Sequence, residues 1–163
     1  MNLRGGSPPS PAFGNDASPS SMTTPQAIAA PARTVRLIHA AMITGVLLFA
    51  LVAHFQLRPT MTTPNGMSEP GVQRTMLGVA LGLCAVALLL RRRVPRRSAN
   101  DSADSYWSSN ARPAAMLMWA PLEGACLSSI VLYANTGTPA AIAVLAIGLA
   151  LFITLNPAAL ERP

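Results

Sequence analysis

Apolar runs long enough to cross a bilayer, separated by short segments that hold most of the charge, constrain this chain more than any other feature. Four such runs stand at about residues 35–57, 71–90, 113–133 and 139–155. As a helix, the first is about 34 Å long at about 1.5 Å per residue, against a hydrocarbon core of about 30 Å. Charged residues make up 11% of the chain, where soluble domains carry about 25%. Helices satisfy their own backbone groups in lipid. The pattern therefore predicts an all-α membrane protein, a four-helix transmembrane bundle.

The segments between the runs have the composition of turns and tails. Residues 1–32 are rich in Pro, Ser, Gly and Ala, as in Ser7-Pro8-Pro9-Ser10-Pro11, and too polar to offset the entropy of ordering; they read as a disordered cytoplasmic tail. No apolar core follows Arg4 as a signal peptide would require. Residues 58–70 carry Pro59, Pro64-Asn65-Gly66 and Pro70, and Asn135-Thr136-Gly137-Thr138-Pro139 forms a tight turn that pairs the last two spans as a hairpin. Asn156-Pro157 closes the fourth span.

All twelve basic residues are arginines. The segment between the second and third spans holds Arg91, Arg92, Arg93, Arg96, Arg97 and Arg112, whereas the first loop and its edges hold Arg58 and Arg74. The positive-inside tendency places the arginine-rich segment in the cytoplasm. Four spans then put both termini there, together with Arg4, Arg33, Arg36 and Arg162. The cluster Arg91, Arg92, Arg93, Arg96, Arg97 is also suited to contact anionic lipid. Since topology accounts for the basic charge, nucleic acid is not an expected partner.

One carboxylate breaks the third run. Glu123, in Trp119-Ala120-Pro121-Leu122-Glu123-Gly124-Ala125-Cys126, lies about 15 Å past Pro113. Placing an ionised acid at mid-bilayer costs roughly 2.5–3.5 kcal/mol on insertion scales. A neutral, hydrogen-bonded side chain facing the bundle interior is the expected solution. Counting depth puts Thr44 and Gly45, then Gly78 and Gly82, and finally Gly148 at about the same level on the other spans. Gly78 and Gly82 form a GxxxG pair, and Ala120, Gly124 and Ser128 make a ridge of small residues, both suited to close helix packing. Pro121 frees the carbonyl of Leu117, so that carbonyl, Thr44 and Ser128 are the candidate partners of Glu123.

The remaining side chains point to packing rather than chemistry. His39 and His54 lie about 22 Å apart along one helix, too far to share a metal, and read as interfacial polar groups. Trp119 is expected near Glu123, Tyr106-Trp107 on the headgroups, and Tyr133 at the outer interface. Cys84 and Cys126 fall inside apolar runs and read as small buried residues. Phosphate-binding glycine loops, HExxH and nucleophile elbows are missing from the sequence. No cofactor, metal or enzymatic activity is expected.

Three stretches together carry a resemblance: Arg36-Leu37-Ile38-His39 with Gly45-Val46-Leu47-Leu48-Phe49, Leu122-Glu123-Gly124-Ala125 with Thr136-Gly137, and Asn156-Pro157. They are similar to a family of small, uncharacterised bacterial four-span proteins with an LEG motif in the third span. Asn156 stands where that family commonly has an arginine. The resemblance implies a four-helix fold in a bacterial inner membrane and supplies no activity. The leading expectation is a structural or accessory subunit, partnered by the bilayer and by itself or a larger membrane complex. The alternative is a small proton- or ion-coupled transporter using Glu123.

Overall fold

A computed structural model describes residues 30–57 and 69–162; the tail up to residue 29 and residues 58–68 of the loop expected at 58–70 lie outside them. Among the described residues every regular element is a helix, with no strand. Six α-helices follow in order: α1 Pro31–Val52, α2 Pro70–Arg91, α3 Ala103–Ser108, α4 Ala111–Thr136, α5 Pro139–Thr154 and α6 Pro157–Leu160. A π-turn, Ala53–Leu57, prolongs α1.

Proline sets several of the starts. Pro31, Pro70, Pro139 and Pro157 each stand in the opening turn of a helix, where the missing N–H would have had no intrahelical partner anyway. α1 consequently begins four residues before the expected start of the first span and takes in Pro31 and Ala32 from the expected tail. α4 runs unbroken through Pro121. It ends at Gly137, whose φ of 66° is left-handed and whose N–H donates to the Tyr133 carbonyl at 2.8 Å, a stop that suits glycine because it has no Cβ to clash.

Three helical segments, Pro31–Gln56, Pro70–Arg91 and Ala111–Thr136, are long and apolar enough to cross a membrane, and α5 is a shorter apolar helix. α4 is the central helix. Half of its apolar window is buried against 17% for α1 and for α2, and it packs most extensively on α2 and α5. Its buried face comprises Ala115, Met118, Trp119, Leu122, Ala125, Cys126, Ser129 and Ile130. Cross-helix hydrogen bonds fix the directions. His39 in α1 meets Phe152 late in α5, and His54 beyond α1 meets Tyr133 late in α4. So α1 and α4 run parallel, with α5 antiparallel to both.

The outer surface is apolar. Leu47, Leu48 and Leu51 on α1, Val79, Val86 and Leu89 on α2, Leu117 on α4, and Ile142, Ile147 and Ile153 on α5 are all exposed. Exposed apolar area on this scale marks a surface meant for lipid or another protein rather than water.

Glycine use differs from helix to helix. A Cβ on Gly148 would sit 2.7 Å from Cys126 Sγ, so α5 approaches α4 closely there, and one on Gly124 would lie 3.5 Å from Leu83 Cδ1. At Gly45, Gly78 and Gly82 nothing lies within 4 Å. Gly148→Ala should therefore destabilise the bundle. Overpacking costs about 1–3 kcal/mol, which exceeds the roughly 1 kcal/mol that alanine gains in helix propensity. Gly82→Ala, with open space, should be neutral or slightly stabilising. Thermal unfolding of both variants in detergent checks the contrast.

Candidate functional site

Most of the charged groups of the described residues gather at one end of the bundle. The N-terminal turns of α1 and α4, the last turn of α2, α3 and α6 all meet there. The end of α5 supplies its foundation. A helix leaves its last carbonyls without intrahelical donors, and Pro157 brings no N–H to continue α5. Side chains take them instead. His39 Nε2 donates to the Phe152 carbonyl at 3.2 Å, which requires the proton on Nε2. Trp119 Nε1 donates to the Leu155 carbonyl at 2.9 Å, and Asn156 Nδ2 to that of Ile153 at 2.7 Å. Asn156 also caps α6 by accepting from the Ala159 N–H at 2.8 Å. The rings of His39 and Trp119 are 4.8 Å apart and those of His39 and Phe152 5.6 Å.

Glu161 ties this foundation to the rest of that end. Its Oε2 accepts from Arg36 at 2.6 Å and its Oε1 from Trp107 Nε1 at 2.8 Å, while Arg97 reaches its carbonyl at 3.4 Å. The two carboxylate bonds differ in worth. Arg36 is 55% exposed, and exposed ion pairs contribute about 0–1 kcal/mol. Trp107 is 1% exposed, and a buried donor left without an acceptor costs about 1–3 kcal/mol. α3 is held further by Asp104, which accepts the Ala32 N–H at 3.1 Å, and by Tyr106, which donates to the Pro95 carbonyl at 2.8 Å. Burial pushes the Tyr106 phenol above its ordinary value; Arg91 opposes the shift and Glu161 adds to it.

This geometry revises several expectations. His39, expected as an interfacial polar group, is buried inside the bundle at 5% exposure. Tyr106 and Trp107 are core residues, buried where α3 folds back onto the bundle. Tyr133 sits opposite them, at the far end, with its hydroxyl 2.8 Å from His54 Nδ1. Cys84 and Cys126 are free and buried as expected.

Glu123 lies half-buried on α4, between the buried face and the exposed side that carries Leu117 and Ala120. It has no hydrogen-bond or ion-pair partner among the described residues. Of its candidate neighbours, Thr44 and Gly45 are exposed on α1 and Gly78 and Gly82 are exposed on α2; Pro121, Gly124 and Ser128 are half-buried on its own helix, and Gly148 is buried against Cys126. Gly124 and Gly148 lie at helix contacts, while Gly45, Gly78 and Gly82 face outward. Among the described residues no group of three or more His, Cys, Asp or Glu is placed to hold a metal ion.

Sequence reasoning missed Glu161, Asp104 and the depth of Trp107. One signal was available. Asn156-Pro157 is an N-cap followed by an N1 proline, which announces a short helix and not merely the end of the fourth span. The chain matches no protein-family model, no curated protein and no solved structure.

Two outcomes follow from the Glu161 junction. Glu161→Ala should cost about 1–3 kcal/mol through the orphaned Trp107 donor and shift tryptophan emission to longer wavelength. Glu161→Gln, which keeps an acceptor, should recover most of that loss, and Arg36→Ala should stay within about 1 kcal/mol. For pH, the folded state holds the Tyr106 proton more tightly than the unfolded state does. The stability it contributes is fully present below the ordinary phenol value of about 10 and is lost as pH rises through the higher folded value. Denaturation between neutral and strongly alkaline pH, compared with Tyr106→Phe, should show that loss in the parent chain only.

Proposed function

We propose that this chain is an integral inner-membrane protein of bacterial type, a four-helix transmembrane bundle with both termini cytoplasmic. It serves as a structural or accessory subunit that associates in the bilayer with itself or with a larger membrane complex. The observation that carries this reading is the outward position of Gly78 and Gly82 on α2. A GxxxG pair lets two helices approach closely and gain packing that lipid cannot supply, and among the described residues nothing lies within 4 Å of a Cβ built at either glycine.

Other observations support the placement. Of the ten arginines among the described residues, Arg33, Arg36, Arg91, Arg92, Arg93, Arg96, Arg97, Arg112 and Arg162 belong to the polar end, and Arg74 lies toward the other. Such an imbalance is what the positive-inside tendency reads. α5, at 16 residues, is about 24 Å long, short of the hydrocarbon core. Ile142, Ile147 and Ile153 are exposed along its length, and local thinning of the bilayer accommodates a short span at modest cost.

Transport through Glu123 is the competing class, and its test is separate. Gly82→Leu should abolish association of the chain in membranes, read by energy transfer between labelled copies and by cross-linking, while leaving helical content unchanged. Association that survives both Gly78→Leu and Gly82→Leu would remove α2 as the contact. Loss of ion or proton flux in liposomes on Glu123→Gln, with a folded bundle, would overturn the accessory reading in favour of transport.

A further inference from the structure

We propose that Arg91, Arg96 and Arg162 form a binding site for a phosphate-bearing anionic headgroup, seated in the cleft between the end of α2 and α6. The cleft has a volume of about 240 Å³ and is lined by Arg91, Pro95, Arg96, Ala159, Leu160 and Arg162. A concave surface of about 610 Å³ adjoins it and adds Arg92 and Arg93. The guanidinium groups come from two segments far apart in sequence, so the cluster is a product of folding and not only of the arginine run.

The neighbouring acids are occupied elsewhere. Glu161 accepts from Arg36 and Trp107, Asp104 from the Ala32 N–H, and Asp101 from the Ser98 N–H. Arg97 is committed to the Asp101 carbonyl through Nε at 2.9 Å and Nη2 at 2.6 Å. Arg91, Arg96 and Arg162 have no hydrogen-bond or ion-pair partner among the described residues. The walls beneath them are fixed. Val94 is 4% exposed and Leu160 3%, and Tyr106 holds the Pro95 carbonyl. A preformed wall leaves less ordering for a ligand to drive. Arginine presents a planar fork of donors that matches phosphate oxygens in pairs, and several such forks around one cleft match a phosphate better than a carboxylate.

The headgroup assignment rests on the bilayer placement above. A cleft at the basic end of apolar spans lies at the level of lipid phosphates, where each basic residue adds attraction to anionic lipid. Free phosphate offers the same chemistry from the aqueous side, and the experiment separates the two sources.

The full chain is reconstituted in vesicles of mixed phosphatidylglycerol and phosphatidylcholine, extracted in mild detergent, and its retained lipid is quantified by mass spectrometry. Enrichment of phosphatidylglycerol is expected. Arg162→Gln and Arg96→Gln should each lower it about fivefold, the factor one basic residue near an anionic surface supplies. Arg74→Gln, at the opposite end, should leave it unchanged. Inorganic phosphate that fails to displace the lipid assigns the cleft to headgroups; displacement that is weakened in Arg162→Gln assigns it to phosphate ligands of either source. Equal enrichment in the parent chain and in Arg162→Gln, with unchanged circular dichroism, overturns the proposal, as does a parent chain that enriches neither ligand. A chain that retains anionic lipid yet stays monomeric defeats the α2 association reading and leaves the cleft standing, so the two failures are distinguishable.

Discussion

The last carbonyls of α5 lack intrahelical donors, and much of the bundle is arranged to supply them. A buried carbonyl left without a donor costs about 1–3 kcal/mol. The chain answers with donors from three places: His39 on α1, Trp119 on α4 and Asn156 just beyond α5. Each bond also fixes a helix. His39 sets how α1 lies on α5, Trp119 sets the depth of α4, and Asn156 turns the chain into α6. Because α6 is turned there, Glu161 reaches Arg36 and Trp107 and closes that end of the bundle.

What the sequence could convey depended on distance along the chain. The apolar helices were legible because apolar length is a local property, and their ends fell within a few residues of proline, arginine and glycine signals; three of the four are long and apolar enough to cross a membrane. The fold of residues 91–112 was not. Ser98, Asp101 and Ser102 read as a polar loop, while the burial of Tyr106 and Trp107 depends on Glu161, whose bond to Trp107 spans 54 residues. Local composition carries no record of such a partner.

The glycines show the same limit in another form. Gly78-x-x-x-Gly82 has the spacing of a packing motif yet packs on nothing among the described residues, whereas Gly148, with no motif, sits where α5 comes close to α4. Spacing states that a face is smooth, and the fold decides whether the face is turned inward. Glu123 was placed correctly on the helix that proved central, but depth counting along each span could not give the rotation of its neighbours. Thr44 and Gly45 are turned outward on α1 although their level was estimated in the same way as that of Gly148.

The lock on α5 has a consequence in time. His39 and the Phe152 carbonyl are 113 residues apart. At roughly 5–20 residues per second of synthesis, His39 precedes its acceptor by roughly 6–23 seconds. Throughout that interval the first helix carries an imidazole N–H whose final acceptor does not yet exist. Arrival of α5 is therefore the event that retires the polar group, and the ribosome sets the clock on which the bundle becomes complete.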